Sequence, residues 1–369
     1  MDRAAWRWER AFGPVPILAA FLVVSCASKR DRGPPARPAG GLTAIDVHTH
    51  FGPDAADRAL ELLERHGIDV AVNLSGGYPG GGLEEQLAAA ARHPGRIVVF
   101  TTPNWPLARE GPGYGARMAD DLSRAAALGA RGLKIPKVLG LGLHDASGAR
   151  VPVDAAELDP LFERAGELGL PVAIHTGDPI AFWQPPDDRN ERHAELAAHP
   201  AWSEWKKDVP AWDALHAELE RRIARHPHTT FIAVHFGNAP ERPELVAAML
   251  DRYPNLLIDT AARIPEIGRH PADAMRDFFI RYQDRILFGT DLGVGRRLTL
   301  GSGGSEPPGD DEVERFFASS WRYFESADRG FPHPTPIQGD WTIDGIHLPP
   351  EVLAKIYRGN AARLLRLPP

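Results

Sequence analysis

Four histidines and one aspartate are placed where they could hold a metal and move protons. His48 and His50 lie in Asp46-Val47-His48-Thr49-His50, at the end of an apolar β-rich run. His175 and His235 each close another such run, and Asp291 follows a further one. Residues i and i+2 of a strand face the same way, so His48 and His50 can share one cation. Two neutral imidazoles, a third from His175 and a carboxylate from Asp291 make the nitrogen and oxygen set that suits zinc, with water completing the shell. His235 is then free to act as a base. Such a site activates water and polarises a carbonyl. Most of the other histidines have structural explanations. His93, His199, His226, His270 and His333 are each followed by Pro, and three of them end predicted helices, where an imidazole suits the helix dipole.

The elements that carry these residues repeat. Eight apolar runs (44–48, 70–74, 97–101, 132–135, 172–175, 231–235, 256–259 and 286–289) read as strands, and Ala/Leu/Glu/Arg-rich stretches of helical period follow them. The last helical stretch, 349–365, closes the chain. Eight βα units predict an α/β fold, a (β/α)8 TIM barrel in a single domain, whose functional face is the C-terminal one. No Gly-rich dinucleotide fingerprint follows the first strand, which counts against a doubly wound sheet. The long connections 176–211 and 292–346 are expected to roof the pocket. Within the second, 301–311 is rich in Gly, Ser and Pro and reads as a mobile surface loop.

Residues 1–25 read differently. Arg3, Arg7 and Arg10 precede a short apolar stretch broken by Pro14 and Pro16, as in an export signal. The stretch ends at Val23-Val24-Ser25-Cys26, which resembles a bacterial lipobox whose cysteine accepts a lipid. Residues 26–42 then form a Pro/Gly-rich tether and 43–369 the catalytic domain. The expected location is the bacterial cell envelope, with contact to the membrane through the lipid on Cys26. As the single cysteine, Cys26 excludes an internal disulfide and a Cys-rich zinc site. A net charge of −7 without a long Lys/Arg run counts against nucleic acid as a partner. A small-molecule substrate is expected instead, and a homodimer is compatible with the chain.

The motifs Ile45-Asp46-Val47-His48-Thr49-His50, Gly132-Leu133-Lys134, Ala173-Ile174-His175-Thr176, Ala233-Val234-His235-Phe236-Gly237-Asn238, Phe288-Gly289-Thr290-Asp291 and Gly359-Asn360-Ala361-Ala362-Arg363-Leu364 occur in that order. From about Thr43 to Leu367 the chain resembles the amidohydrolase superfamily, in the branch that includes aminocarboxymuconate-semialdehyde decarboxylase. The resemblance implies one divalent metal held by His48, His50, His175 and Asp291, with His235 as catalytic partner and Asp291 in proton transfer. It also implies either hydrolysis of an amide, ester or lactone-type bond or non-oxidative decarboxylation of a carboxylated substrate. Lys134 falls where two-metal members carry a carboxylated bridging lysine. It is then a ligand to a second ion, or else a barrel-mouth lysine that meets substrate or Asp291. Arg263, four residues after the seventh strand, is placed to bind an anion, and Trp105 and Phe182-Trp183 either line an apolar pocket or pin loops to the barrel. A non-catalytic ligand-binding lipoprotein is the alternative from outside enzymology. An intact ligand set beside a proton-transfer pair favours the enzyme.

Overall fold

The computed structural model describes residues 35–303 and 306–368. The export signal, Cys26 and the first part of the tether lie outside the described residues. Eight strands appear where the sequence places them: β1 (Ala44–Phe51), β2 (Ile68–Asn73), β3 (Ile97–Val99), β4 (Leu133–Ile135), β5 (Val172–Ile174), β6 (Phe231–Ala233), β7 (Leu256–Asp259) and β8 (Ile286–Leu287). Pairing is parallel from β1 to β3 and from β4 to β8. Backbone hydrogen bonds join the two seams. At one, the Thr101 N–H donates to Gly132 O (2.9 Å) and the Lys134 N–H to Thr101 O (2.7 Å). At the other, the Val47 N–H donates to Phe288 O (3.0 Å) and the Asp291 N–H to His48 O (2.9 Å). The architecture is a (β/α)8 barrel.

Alternation along the strands sorts the side chains. Ile45, Val70, Val98, Ala173, Ile232 and Leu287 meet in one apolar cluster inside the barrel, while Leu133, Val172, Ile174 and Ala233 face the surrounding helices. Two residues past the inner Ala173 comes His175, and two past Leu257 comes Asp259, so the polar layer sits on top of an apolar plug. The first strand departs from simple alternation. Its pairing with β2 slips between Asp46 and Thr49, which lets the inner residue Val47 be followed by His48, whose ring also turns inward to Asp259.

The second long connection is more ordered than its composition implies. Leu292–Val294 (β9) pairs with β1 and with Leu298–Leu300 (β10). The helix Asp310–Glu325 follows and buries Phe316, Phe317, Trp321 and Phe324. Within 301–311, Ser302 is part of a cavity wall and Asp310 and Asp311 open the helix, where their charge suits the positive end of its dipole; residues 306–309 between them form no helix or strand. Residues 35–42, the end of the predicted tether, lie against the domain. Arg37 donates to the carbonyls of Glu64 (2.7 Å) and Arg65 (3.0 Å), and the Ala36 carbonyl accepts from His66 Nδ1 (3.1 Å).

The closing helical segment is broken into Pro350–Ala354, a π-helical turn Lys355–Gly359 and Asn360–Leu365. The wider turn leaves the Ile356 carbonyl for the Phe288 N–H (3.1 Å). Buried Asn360 donates to Gln283 O (2.7 Å) and Ile286 O (2.8 Å), which anchors the start of β8. Asn360→Ala leaves those carbonyls unpaired, and a denaturant titration should show a loss of about 1–3 kcal/mol. An unchanged midpoint would remove Asn360 from the anchoring role.

Candidate metal centre

The strand ends bring three of the predicted ligands into one group. His48 Nε2 and His50 Nε2 each lie 3.4 Å from Asp291 Oδ1, and the three ligand atoms are within 4.8 Å of one another. His175 and His235 stand beside them: the His235 ring centroid is 4.6 Å from that of His48 and 4.4 Å from that of His175. His175 Nε2 is 3.9 Å from Asp178 Oδ1 and lies outside the tight group.

What aims these rings is a carboxylate that sequence reasoning did not single out. Asp259, buried at the end of β7, accepts His48 Nδ1 on Oδ2 (2.8 Å) and the backbone N–H groups of His235 (2.7 Å) and Ala261 (3.1 Å) on Oδ1. His48 Nδ1 therefore carries the proton, and Nε2 offers a lone pair to a cation. His235 Nδ1 likewise donates to the Ala261 carbonyl (2.9 Å), which leaves its Nε2 as an acceptor. His50 Nδ1 contacts Ser75 Oγ at 2.8 Å.

A second buried carboxylate, Asp46, holds Thr290, the residue before Asp291. Its Oδ1 accepts the N–H groups of His48 (3.0 Å) and Thr290 (3.1 Å), and its Oδ2 accepts the Thr290 hydroxyl. Asp291 itself is in the left-handed region (φ 63), as are His235 and Phe236 (φ 56 each). Side chains other than Gly are strained there, and the surrounding hydrogen bonds keep them in place. Asp46 is part of the motif that marks β1, and Asp259 ends a strand as His175 and His235 nearly do. That strand-end position was the available signal.

Burial pushes His48, His175 and His235 well below their ordinary pKa, so all three are neutral ligands or bases near neutral pH. Burial works to raise the Asp291 carboxyl, but the nearby His48, His50 and His235 outweigh it and hold it below the usual carboxylate range. His48 Nε2 and His175 Nε2 are buried and make no hydrogen bond among the described residues. Buried imidazole nitrogens without partners, beside an ionised carboxylate, fit a divalent cation. Lys134 Nζ is buried and equally without a hydrogen bond; burial lowers its pKa to about 8, against the pull of Asp259 and Asp291.

A cavity of about 140 Å³ opens beside this group. Its lining includes His175, His235, Asp291 and Arg263, as the sequence placed them, together with Lys137, Phe182, Glu195, Trp202 and Ser302. Lys137 is paired with Asp178 (2.8 Å). Trp202 is stacked on His199 with ring centroids 3.9 Å apart, so that proline-flanked histidine backs a cavity wall. Trp105 is half-buried against the helical core and outside the cavity lining. Trp183 donates to Pro210 O (2.9 Å) and pins its loop.

The amidohydrolase family model, Amidohydro_2, matches residues 45–367. The chain belongs to the amidohydrolase family. No curated protein is matched by sequence. Among solved structures, 2,6-dihydroxybenzoate decarboxylase from Rhizobium is similar at TM-score 0.52 and 17% identity, over 88% of this chain and 99% of that one. Dihydroxybenzoic acid decarboxylase from Polaromonas sp. JS666, with bound manganese and the inhibitor 2-nitroresorcinol, is similar at TM-score 0.52 and 15% identity, over 88% and 97% of the two chains. At these identities the likeness is one of fold. With the His-His-Asp group, the family assignment makes this amidohydrolase a metal-dependent enzyme.

Two outcomes test the centre. Asp259→Asn should weaken divalent-metal affinity by about 10–100-fold in competition with a chromogenic chelator; wild-type affinity would free His48 from its second partner. The unfolded chain protonates its histidines near pH 6.5, before the buried imidazoles do, so it binds more protons below that pH and stability falls with it. Asp46, pushed up to about 7 by burial, opposes this with a single proton. Chelator-treated protein should therefore melt at a lower temperature as the pH falls from about 7.5 to about 5.5. A flat profile would mean that the imidazoles are charged in the fold.

Proposed function

We propose that this amidohydrolase is a metal-dependent hydrolase that cleaves an amide, ester or lactone-type bond in a small anionic molecule bound in the cavity. The observation that carries the reading is His235. Its Nδ1 proton is committed to the Ala261 carbonyl, and burial keeps the ring neutral, so Nε2 is an acceptor on a residue that lines the cavity beside Asp291. His48, His50 and Asp291, with His175 at their side, would hold the cation, and zinc suits that donor set. When bound, such an ion acts as a Lewis acid and makes water acidic enough to ionise near neutral pH.

The remaining steps belong to the chain. His235 Nε2 accepts one proton of the attacking water as its oxygen bonds to the substrate carbonyl carbon; the Asp291 carboxylate takes the second proton, from the new hydroxyl, and passes it to the leaving group as the old bond breaks. Arg263 orients an anionic group of the substrate, and Phe182 and Trp202 exclude water from one side of the cavity. Lys134, buried on β4 in register with Ala173, would meet the substrate, or would hold a second ion if it is carboxylated.

Decarboxylation is a second reading, favoured by the two solved decarboxylases that share the fold and by the Arg263 side chain in the cavity wall, which suits a carboxylated substrate. Product analysis in ¹⁸O water separates the two: hydrolysis incorporates label into the product, whereas decarboxylation releases carbon dioxide. In either case Asp291→Ala should abolish turnover with the fold retained. His235→Asn should reduce kcat by about 10²–10⁴-fold while metal content stays at the wild-type level. Full activity in either variant would refute the assigned role. The N-terminal motif supports a lipid-anchored enzyme of the cell envelope. Mass analysis of the mature N-terminus, with Cys26→Ala as control, tests that placement.

A further inference from the structure

The cavity wall is held by a circuit of buried polar groups that the chemistry above does not use. Arg192, on the loop after β5, is fully buried. Its Nη1 donates to Glu195 Oε2 at 2.8 Å, and its Nη2 is ion-paired with Glu266 Oε1 on the loop after β7. The other oxygen of Glu195 accepts the hydroxyl of Ser302, on the loop after β8. Gln338, farther along that same connection, donates from Nε2 to Ser302 Oγ (3.1 Å) and to the Ala262 carbonyl (3.2 Å). Arg263 Nη1 donates to that same carbonyl at 3.0 Å. Glu266 lies on the same short stretch of chain as Ala262, so the circuit returns to its start. Three of its members, Glu195, Ser302 and Arg263, face the cavity.

Holding three loops together does not by itself call for charge. Apolar side chains of similar volume commonly stabilise a fold as well as a buried ion triad does, because the triad must be stripped of water. Charged groups add direction: a planar guanidinium fixes the angle between two carboxylates. Direction matters here because Ala262 sits at φ 57, a region Ala rarely adopts, with its carbonyl aimed by two donors. That carbonyl holds the guanidinium end of the Arg263 side chain. Arg192, Glu195, Arg263 and Glu266 are all buried, two cations and two carboxylates, and Arg192 pairs with both carboxylates. Arg263 Nε has no hydrogen-bond partner among the described residues.

We propose that Arg192 is a positioning residue for substrate binding: by engaging Glu195 and Glu266 together, it couples the three loops that wall the cavity and keeps Ser302 and Arg263 turned into it. The role rests on the anionic-substrate reading above. Two variants of the full-length, zinc-loaded protein test it. Arg192→Met/Glu195→Gln/Glu266→Leu removes all three charges and keeps the volume, and Arg192→Lys retains one of the two pairings. Benzoate serves as the anionic probe.

In the triple variant, hydrogen exchange should rise by about tenfold or more together in residues 180–203, 262–268 and 298–303, with the barrel strands and the zinc content unchanged. Benzoate affinity by calorimetry should fall by about tenfold or more, and Arg192→Lys should lie between the triple variant and wild type. Exchange that rises in one loop alone overturns the coupling. Exchange that rises in all three with wild-type benzoate affinity reduces the circuit to a structural tie and overturns the proposal. Wild-type protein that does not bind benzoate overturns the anionic-substrate reading and, with it, this role for Arg192.

Discussion

A carboxylate buried at the end of one barrel strand cannot remain without donors, and Asp259 takes its donors from three places in the chain. Its oxygens meet the ring of His48, the backbone of His235 and its own loop at Ala261. An unpartnered charge at that depth costs several kcal/mol. The three donors are therefore obligatory, and the ends of β1, β6 and β7 must converge. The same carboxylate selects the tautomer of His48, so a single constraint both assembles the centre and sets its chemistry. Asp46 plays the matching part at the β8–β1 seam, where it holds Thr290 next to Asp291. With both carboxylates satisfied, His235 and Asp291 can persist in backbone conformations that side chains other than Gly seldom adopt.

The division of labour follows from this. Short strands, packed on an apolar plug inside the barrel, fix the ligands and the proton acceptor. The long connections after β5 and β8, with the turn after β7, shape the cavity and carry Arg263, Glu195, Trp202 and Ser302. Barrel enzymes vary chemistry and substrate largely in these loops, on a core that stays rigid. In this amidohydrolase a buried ion pair joins the loop after β5 to the turn after β7, and aromatic stacks hold the loop after β5 together.

How far the sequence could be read depended on the range of the interactions involved. β strands such as 172–174 and 256–259 are short apolar runs between helical stretches, a signal contained within a few residues. The helix 310–325 was obscured because a Gly/Ser/Pro-rich stretch leads directly into it, although Phe316, Phe317, Trp321 and Phe324 have helical spacing. The π-helical turn at 355–359 had no local signal, since its reason is the Phe288 N–H that it satisfies.

The sequence by itself determined the barrel and named His48, His50, His175, His235, Asp291 and Arg263, because residue type and strand-end position are local properties. Tertiary structure alone decided which imidazole nitrogen is free, where Asp46 and Asp259 act, and that Arg192 meets Glu266 on another loop. The partners in those contacts lie far apart along the chain: His48 and Asp259 are separated by 211 residues, Asp46 and Thr290 by 244. No spacing rule reaches across such distances, and only closure of the barrel brings the groups within hydrogen-bond range.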